Sequence, residues 1–253
     1  MPLSVTSYRN EHEDSMTSKI AALAVLFLIA DYAVAQGAAA PDPIEGKVRF
    51  GYLATSGNSE STNTNAAFNL VLNRDVWQHT IDLAAIAATS SEQTTAESYS
   101  AAYKAARDLN ENSYMFGALN WERDRFSSYE QKVSEAIGYG RHVVATEKHR
   151  LDVDFGIGAR QQDLIDGSKD DGAIVRAGLD YEWTINETTS FGQTLLVDSG
   201  STNTNVQTAT ELTARLVGNI ALVLSYRIKY NSEVLPGTVK SDRFTSISLE
   251  YQF

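Results

Sequence analysis

The chain contains no cysteine, which removes disulfides, thiolate nucleophiles and cysteine metal sites and fits an exported protein that folds without cross-links. Outside one stretch near the amino terminus nothing approaches 18 consecutive apolar residues, so membrane-spanning helices are excluded. Positive charge is also scarce: 21 Lys and Arg stand against 32 Asp and Glu, for a formal net charge of −11. Nucleic acid is therefore not an expected partner. Histidine is limited to four residues, and no cofactor is expected.

The one apolar run spans residues 20–30 after Lys19, and Ala33-Val34-Ala35 follows with the small-x-small pattern that signal peptidase reads. Residues 1–35 thus read as a cleaved secretory signal, because 11 apolar residues cannot cross ~30 Å of hydrocarbon as a helix. Glu11, Glu13 and Asp14 are out of place ahead of such a run, whereas Met16-Thr-Ser-Lys19 makes an ordinary start. Translation is therefore expected to begin at Met16, which amino-terminal analysis of the precursor checks. Cleavage takes away two cations and four carboxylates and leaves 218 residues with a charge of −9. Those residues divide into a short periplasmic lead, 36–45, and one β domain, 46–253.

Within that domain the hydropathy alternates with a period of two, the pattern of strands with one apolar and one polar face. Val48, Phe50, Tyr52 and Ala54 oppose Lys47, Arg49, Gly51 and Leu53; Ala66, Phe68, Leu70 and Leu72 oppose Asn63, Asn65, Asn69 and Asn73. Trp77, Ile81, Leu83 and Ala85 mark a third strand, and Tyr99, Ala101, Tyr103 and Ala105 a fourth. In strand five Tyr114, Phe116 and Ala118 compete with Met115, Leu119 and Trp121 on the other parity. In strand six, residues 133–144, Glu135 and Arg141 share parity with Val133, Ile137 and Tyr139. The facing of these two stays open.

Strands seven and eight are unambiguous. Leu151, Val153, Phe155 and Ile157 oppose Asp152, Asp154, Gly156 and Gly158, and Val175, Leu179, Tyr181 and Trp183 oppose Arg176, Gly178, Asp180 and Glu182. Phe191, Leu195 and Val197 mark strand nine, Val206, Thr208, Thr210 and Leu212 strand ten, and Ile220, Leu222, Leu224 and Tyr226 strand eleven. The twelfth carries Ile247, Leu249, Tyr251 and Phe253 on one face.

Links after even strands are two or three residues long, as at Arg74-Asp75, Asn186-Glu187 and Gly218-Asn219, whereas those after odd strands are mostly longer, notably 123–131, 161–172 and 231–242. Short turns on one rim and long loops on the other describe an all-β, single transmembrane antiparallel up-and-down barrel of about twelve strands with periplasmic termini. A large β-sandwich or a lipocalin-like barrel with an apolar interior is the soluble alternative. Neither needs length-sorted loops or charges on the enclosed face of so many strands. Trp77, Tyr99, Tyr114, Tyr181, Trp183, Tyr226, Tyr230 and Tyr251 fall on the outward parity near strand ends, where amphipathic rings suit lipid headgroups.

The signal-like start, SGNSESTNTN at 56–65, a dozen alternating strands and the YQF end together resemble the poorly characterised salt-induced outer membrane protein family. The resemblance implies a bacterial outer-membrane β-barrel with a link to osmotic or acid stress and no established substrate. It transfers no functional residues.

STNTN occurs at 61–65 and again at 201–205. Both copies fall at the same rim of this topology, either as ligand-contacting edges or as reused turn chemistry. A catalytic reading is disfavoured. A phospholipase of the outer leaflet needs Ser, His and Asn near that leaflet, whereas His79, His142 and His149 are all placed at the periplasmic rim. The acidic loop at 163–171 does not match the spacing of a calcium loop.

The expected lumen charges are Arg49, Arg150, Asp152, Asp154, Arg160, Arg176, Asp180, Glu182, Glu211, Arg215, Arg227 and Lys229, with Lys47, Lys104, Arg243, Asp82, Asp108 and Glu250 on the same parity. Asp152, Asp154, Asp180 and Glu182 are expected to bridge to Arg150, Arg160 and Arg176. Nearly balanced signs predict a narrow, cross-linked or weakly selective interior. Two functions follow: a narrow channel for small solutes or ions, or a non-conducting structural barrel of the envelope. Ile247, Leu249, Tyr251 and Phe253 resemble the assembly signal read by the barrel insertion machinery. Outer-membrane lipids and lipopolysaccharide would surround the barrel, and periplasmic chaperones would deliver it.

Overall fold

In the computed structural model, residues 44–55, 61–90, 93–125 and 127–253 are described. The signal segment, the Met16 start, most of the lead and the SGNSE part of the 56–65 motif lie outside the described residues.

Twelve strands follow one another: β1 (Ile44–Thr55), β2 (Ser61–Arg74), β3 (Trp77–Ser90), β4 (Gln93–Asn110), β5 (Ser113–Asp124), β6 (Tyr129–Ala145), β7 (His149–Leu164), β8 (Gly172–Asn186), β9 (Thr189–Gly200), β10 (Thr204–Val217), β11 (Ile220–Asn231) and β12 (Ser241–Gln252). Each pairs antiparallel with its sequence neighbours, and β1 pairs with β12 to close the barrel. Even a 12-residue strand rises ~28 Å at ~3.3 Å per residue and ~45° tilt, enough for the ~25 Å apolar band of an outer-membrane barrel.

The residues are arranged inside out relative to a soluble barrel. Phe50, Ile137, Phe155, Ile157 and Leu249 face outward and are exposed, whereas Arg160, Arg176 and Glu250 are enclosed. Water cannot be the outer medium of so continuous an apolar wall. Only a closed barrel leaves no unpaired strand edge in lipid.

Turn chemistry sets the periplasmic rim. The β2–β3 and β10–β11 hairpins have two-residue links, in which Asp75 and Gly218 both take φ of 52°. A positive φ there matches the right-handed twist of the flanking strands. The opposite links are shorter than expected because the strands run further: β5 extends to Asp124, β6 starts at Tyr129, and only two residues separate β3 from β4.

The register decides the facing of β5 and β6. Met115 pairs with Tyr139 and Leu119 with Glu135, which puts Met115, Leu119, Trp121, Glu135 and Arg141 outside. Tyr114 and Phe116 therefore point into the lumen, buried, and Tyr114 is not part of an outer aromatic girdle. Their cross-strand partners are Gly140 and Gly138. A side chain on either glycine would overlap the Tyr114 or Phe116 ring. Two aromatic rings thus lie on a floor of bare backbone, where their apolar area is covered without touching lipid. Arg243 is likewise outside, paired with Ile228 and exposed, contrary to the parity assigned from the sequence.

Candidate functional site: the charged lumen

At the extracellular end the loops are tied together. Arg160, buried on β7, donates from Nη1 to the Asn203 carbonyl (3.1 Å) and Asn205 Oδ1 (3.2 Å), and from Nη2 to Asp170 Oδ2 (2.8 Å). Thr202 donates to Asp170 Oδ1 at 2.5 Å. Asn203 Oδ1 accepts from Ser232 Oγ (3.0 Å) and Glu233 N (3.1 Å), while Ser128 accepts from Ile165 N (3.2 Å, carbonyl) and Leu235 N (3.3 Å, hydroxyl). The second STNTN copy is therefore a clamp between the β7–β8, β9–β10 and β11–β12 loops. The first copy does something else. It lies wholly within β2, and Asn65 reaches over Gly51 to share hydrogen bonds of 3.2 Å with Ser248.

The acidic loop binds its own chain. Asp163 pairs with Lys169 (3.0 Å), and Asp166 accepts from Ser168 N (2.9 Å) and Oγ (2.6 Å). These bonds hold the Asp166 carboxyl below its usual range, and the Asp163 partnership raises the Lys169 ammonium. Asp171 Oδ1 accepts from Gln162 N at 3.2 Å. With its carboxylates turned to separate donors, the loop does not converge on a cation. Among the described residues no cluster of metal-binding side chains occurs.

Below the cap lies a constriction. Lys229 on β11 forms an ion pair with Glu122 on β5, lies 3.4 Å from Asp124 and donates to Ser98 Oγ at 3.2 Å. Lys132 on β6 approaches the same Glu122 at 3.0 Å, and Gln207 donates to it at 3.2 Å. In the closed strand order β5 and β11 stand opposite each other, so the bridge crosses the full bore. Every member of the charged quartet is buried. Tyr129 packs against Lys132, with its ring 4.7 Å from Nζ, because a bulge between Tyr129 and Gln131 turns it inward. Beside the bridge is a cavity of about 30 Å³ lined by Ser98, Ser100, Glu122, Gln207, Arg227 and Lys229. It has room for roughly two water-sized particles.

Around the wall, Arg176 donates to both oxygens of Asp198 (2.7 and 2.7 Å) and to Ser134 Oγ (3.0 Å). Towards the periplasm, Arg49 holds Glu211 with two bonds (2.7 and 3.0 Å) and Glu250 with two more (3.0 and 2.6 Å). Forked guanidinium contacts of this kind are geometrically specific as well as strong. Lys104 meets Asp154 at 2.6 Å and lies over the Phe116 ring at 4.8 Å, and Tyr114 donates to Asp154 at 3.3 Å. Arg150 lies 3.5 Å from Asp152. Asp180, Glu182 and Arg215 face a more open periplasmic vestibule.

Arg243 apart, the register puts the charges named from the sequence on the inner face, but several of the partners expected for them are wrong. Arg160 and Arg176 bind Asp170 and Asp198, not the carboxylates of β7 and β8. Glu122, Asp124, Lys132 and Asp198 are not among the lumen charges expected from the sequence. Asn120, Glu122 and Asp124 recur at alternate positions of β5, and that polar run was the signal that could have fixed its facing.

The histidines divide. His142 faces inward and shares a 2.7 Å hydrogen bond with Asp152. His79 and His149 lie on the outer face in aromatic stacks with Trp77 and Tyr103 and with Tyr181 and Trp183. Their Nδ1 atoms share hydrogen bonds with Tyr103 (2.8 Å) and Tyr181 (2.9 Å). These three bonds go to tyrosine or aspartate.

A family model described as "Protein of unknown function, DUF481" matches residues 48–253. "Uncharacterized protein YdiY" of Escherichia coli (strain K12) is 26% identical over 215 residues, 85% of each chain. Among solved structures, the COG4313 outer membrane channel from Pseudomonas putida F1 superposes with a TM-score of 0.48 at 12% identity, covering 87% of this chain and 97% of that one. The NanC porin gives a TM-score of 0.45 at 14% identity, with 82% and 97% covered.

Proposed function

The chain belongs to the DUF481 family, and we propose that this member is a narrow outer-membrane conduit for small ions or solutes, closed at rest by the charged bridge across its lumen. The observation that carries the reading is the Lys229–Glu122–Lys132 bridge between opposite walls. A buried ion pair is a poor way to stabilise a fold, since apolar residues of similar volume do as well or better. A hydrated lumen changes that balance, because each charge released from the bridge regains water. The bridge is thus suited to opening and closing.

Replacing Lys229 with Met removes the span while keeping its length. In planar bilayers the refolded variant should conduct several-fold more than the unaltered barrel. A second reading, a non-conducting barrel that braces the envelope, is favoured by the interlocked extracellular loops. Silent bilayers for both proteins would select it and sink the conduit.

A further inference from the structure

We propose that the cavity beside the bridge binds a small monovalent anion of about the size of chloride, held by the guanidinium of Arg227. Of the two cations lining it, Lys229 is committed to Glu122. Arg227 is not committed. It sits one inward position before Lys229 on β11, and among the described residues it forms no hydrogen bond or ion pair. The other guanidiniums enclosed in the wall, Arg49, Arg160 and Arg176, are each bound to a carboxylate.

The carboxylates near enough to feel the Arg227 charge are Asp82 and Glu211. Both are held by other donors: Asp82 by Asn69 at 2.7 Å, Glu211 by Arg49 at 2.7 and 3.0 Å. Glu122 on the opposite wall is shared by Lys132 and Lys229. The residues lining the cavity therefore carry two cations against one carboxylate. Arg227 is half-buried, with Asp82 and Glu211 in electrostatic reach, but its guanidinium donors meet no acceptor among the described residues, and an anion in the cavity would accept from them. The volume of about 30 Å³ is on the scale of a monatomic ion. Ser100, also in the lining, offers a hydroxyl donor.

The transport side of this inference rests on the proposed conduit, but binding does not, so two measurements separate them. Chlorine NMR line broadening by the refolded barrel in detergent micelles reads the site directly. It should be present for the natural protein and for Arg227→Lys, and lost in Arg227→Gln. Absence of broadening, or broadening unchanged in Arg227→Gln, overturns the site. In planar bilayers under a KCl gradient, Arg227→Gln should lower the anion-to-cation permeability ratio about tenfold, and Arg227→Lys should keep its sign. Silent bilayers together with Arg227-dependent broadening would leave the site standing and remove the conduit. Conducting bilayers whose selectivity ignores Arg227, with no broadening, would do the reverse.

Discussion

Arg176 shows what a single residue contributes here. The alternation of β8 puts it in the lumen, where a positive side chain would be taken for a selectivity determinant. Arg176 is in fact only 2% exposed, its guanidinium closed off by Asp198 and Ser134, with the amide of Asn120 beside it. Changing Arg176 to Glu should therefore act on stability and leave ion preference alone. Losing one partner of a buried pair leaves Asp198 uncompensated and costs about 3–5 kcal/mol, which urea unfolding of the barrel refolded in liposomes would register as a lower midpoint. An unchanged midpoint would show that the pair contributes nothing. Inward parity was legible for Arg176 as it was for Arg227. Whether a carboxylate waits for each was not, because their neighbours come from other strands.

At the scale of the element, β5 and β6 are the instructive pair. Aromatic residues at alternate positions ordinarily mark the lipid face of a barrel strand, and Tyr114 and Phe116 reverse that rule. Gly138 and Gly140 remove the side chains that would block the rings, so the two strands form a unit that neither pattern announces alone. Gly140→Val should push Tyr114 off its floor and away from Asp154. Overpacking of this kind costs about 1–3 kcal/mol, and adding Tyr114→Ala should recover part of the loss in the same unfolding assay. Additive losses in the double variant would refute the arrangement. The repeated STNTN makes a similar point, since one sequence is strand in β2 and a clamp spanning the β9–β10 loop and the start of β10. The pentapeptide permits both, and the neighbouring loops choose.

The barrel as a whole is closed where β1 meets β12. Their ladder runs only from Lys47 with Gln252 to Phe50 with Leu249. Two further backbone bonds join Gly46 and Phe253, at 2.8 and 2.9 Å. The Phe253 ring occupies the space a side chain at position 46 would need and lies 6.3 Å from the Tyr251 ring. Deleting Phe253 removes the last closing pair together with one anchor of the expected assembly signal. Outer-membrane levels of the truncated protein, judged by fractionation, should fall; unchanged levels would count against a role in insertion. The sequence by itself determined that there are twelve strands, which face of most of them meets lipid, and that the interior is charged. A period of two encodes which medium lies on each side of a strand, and that information is local. Only the tertiary structure decided that Lys229 meets Glu122 across the bore, that Arg227 makes no ion pair among the described residues, and that two aromatic rings turn inward. Strands half a circumference apart acquire neighbours only when the sheet closes, and closure fixes which side chains face one another at each level.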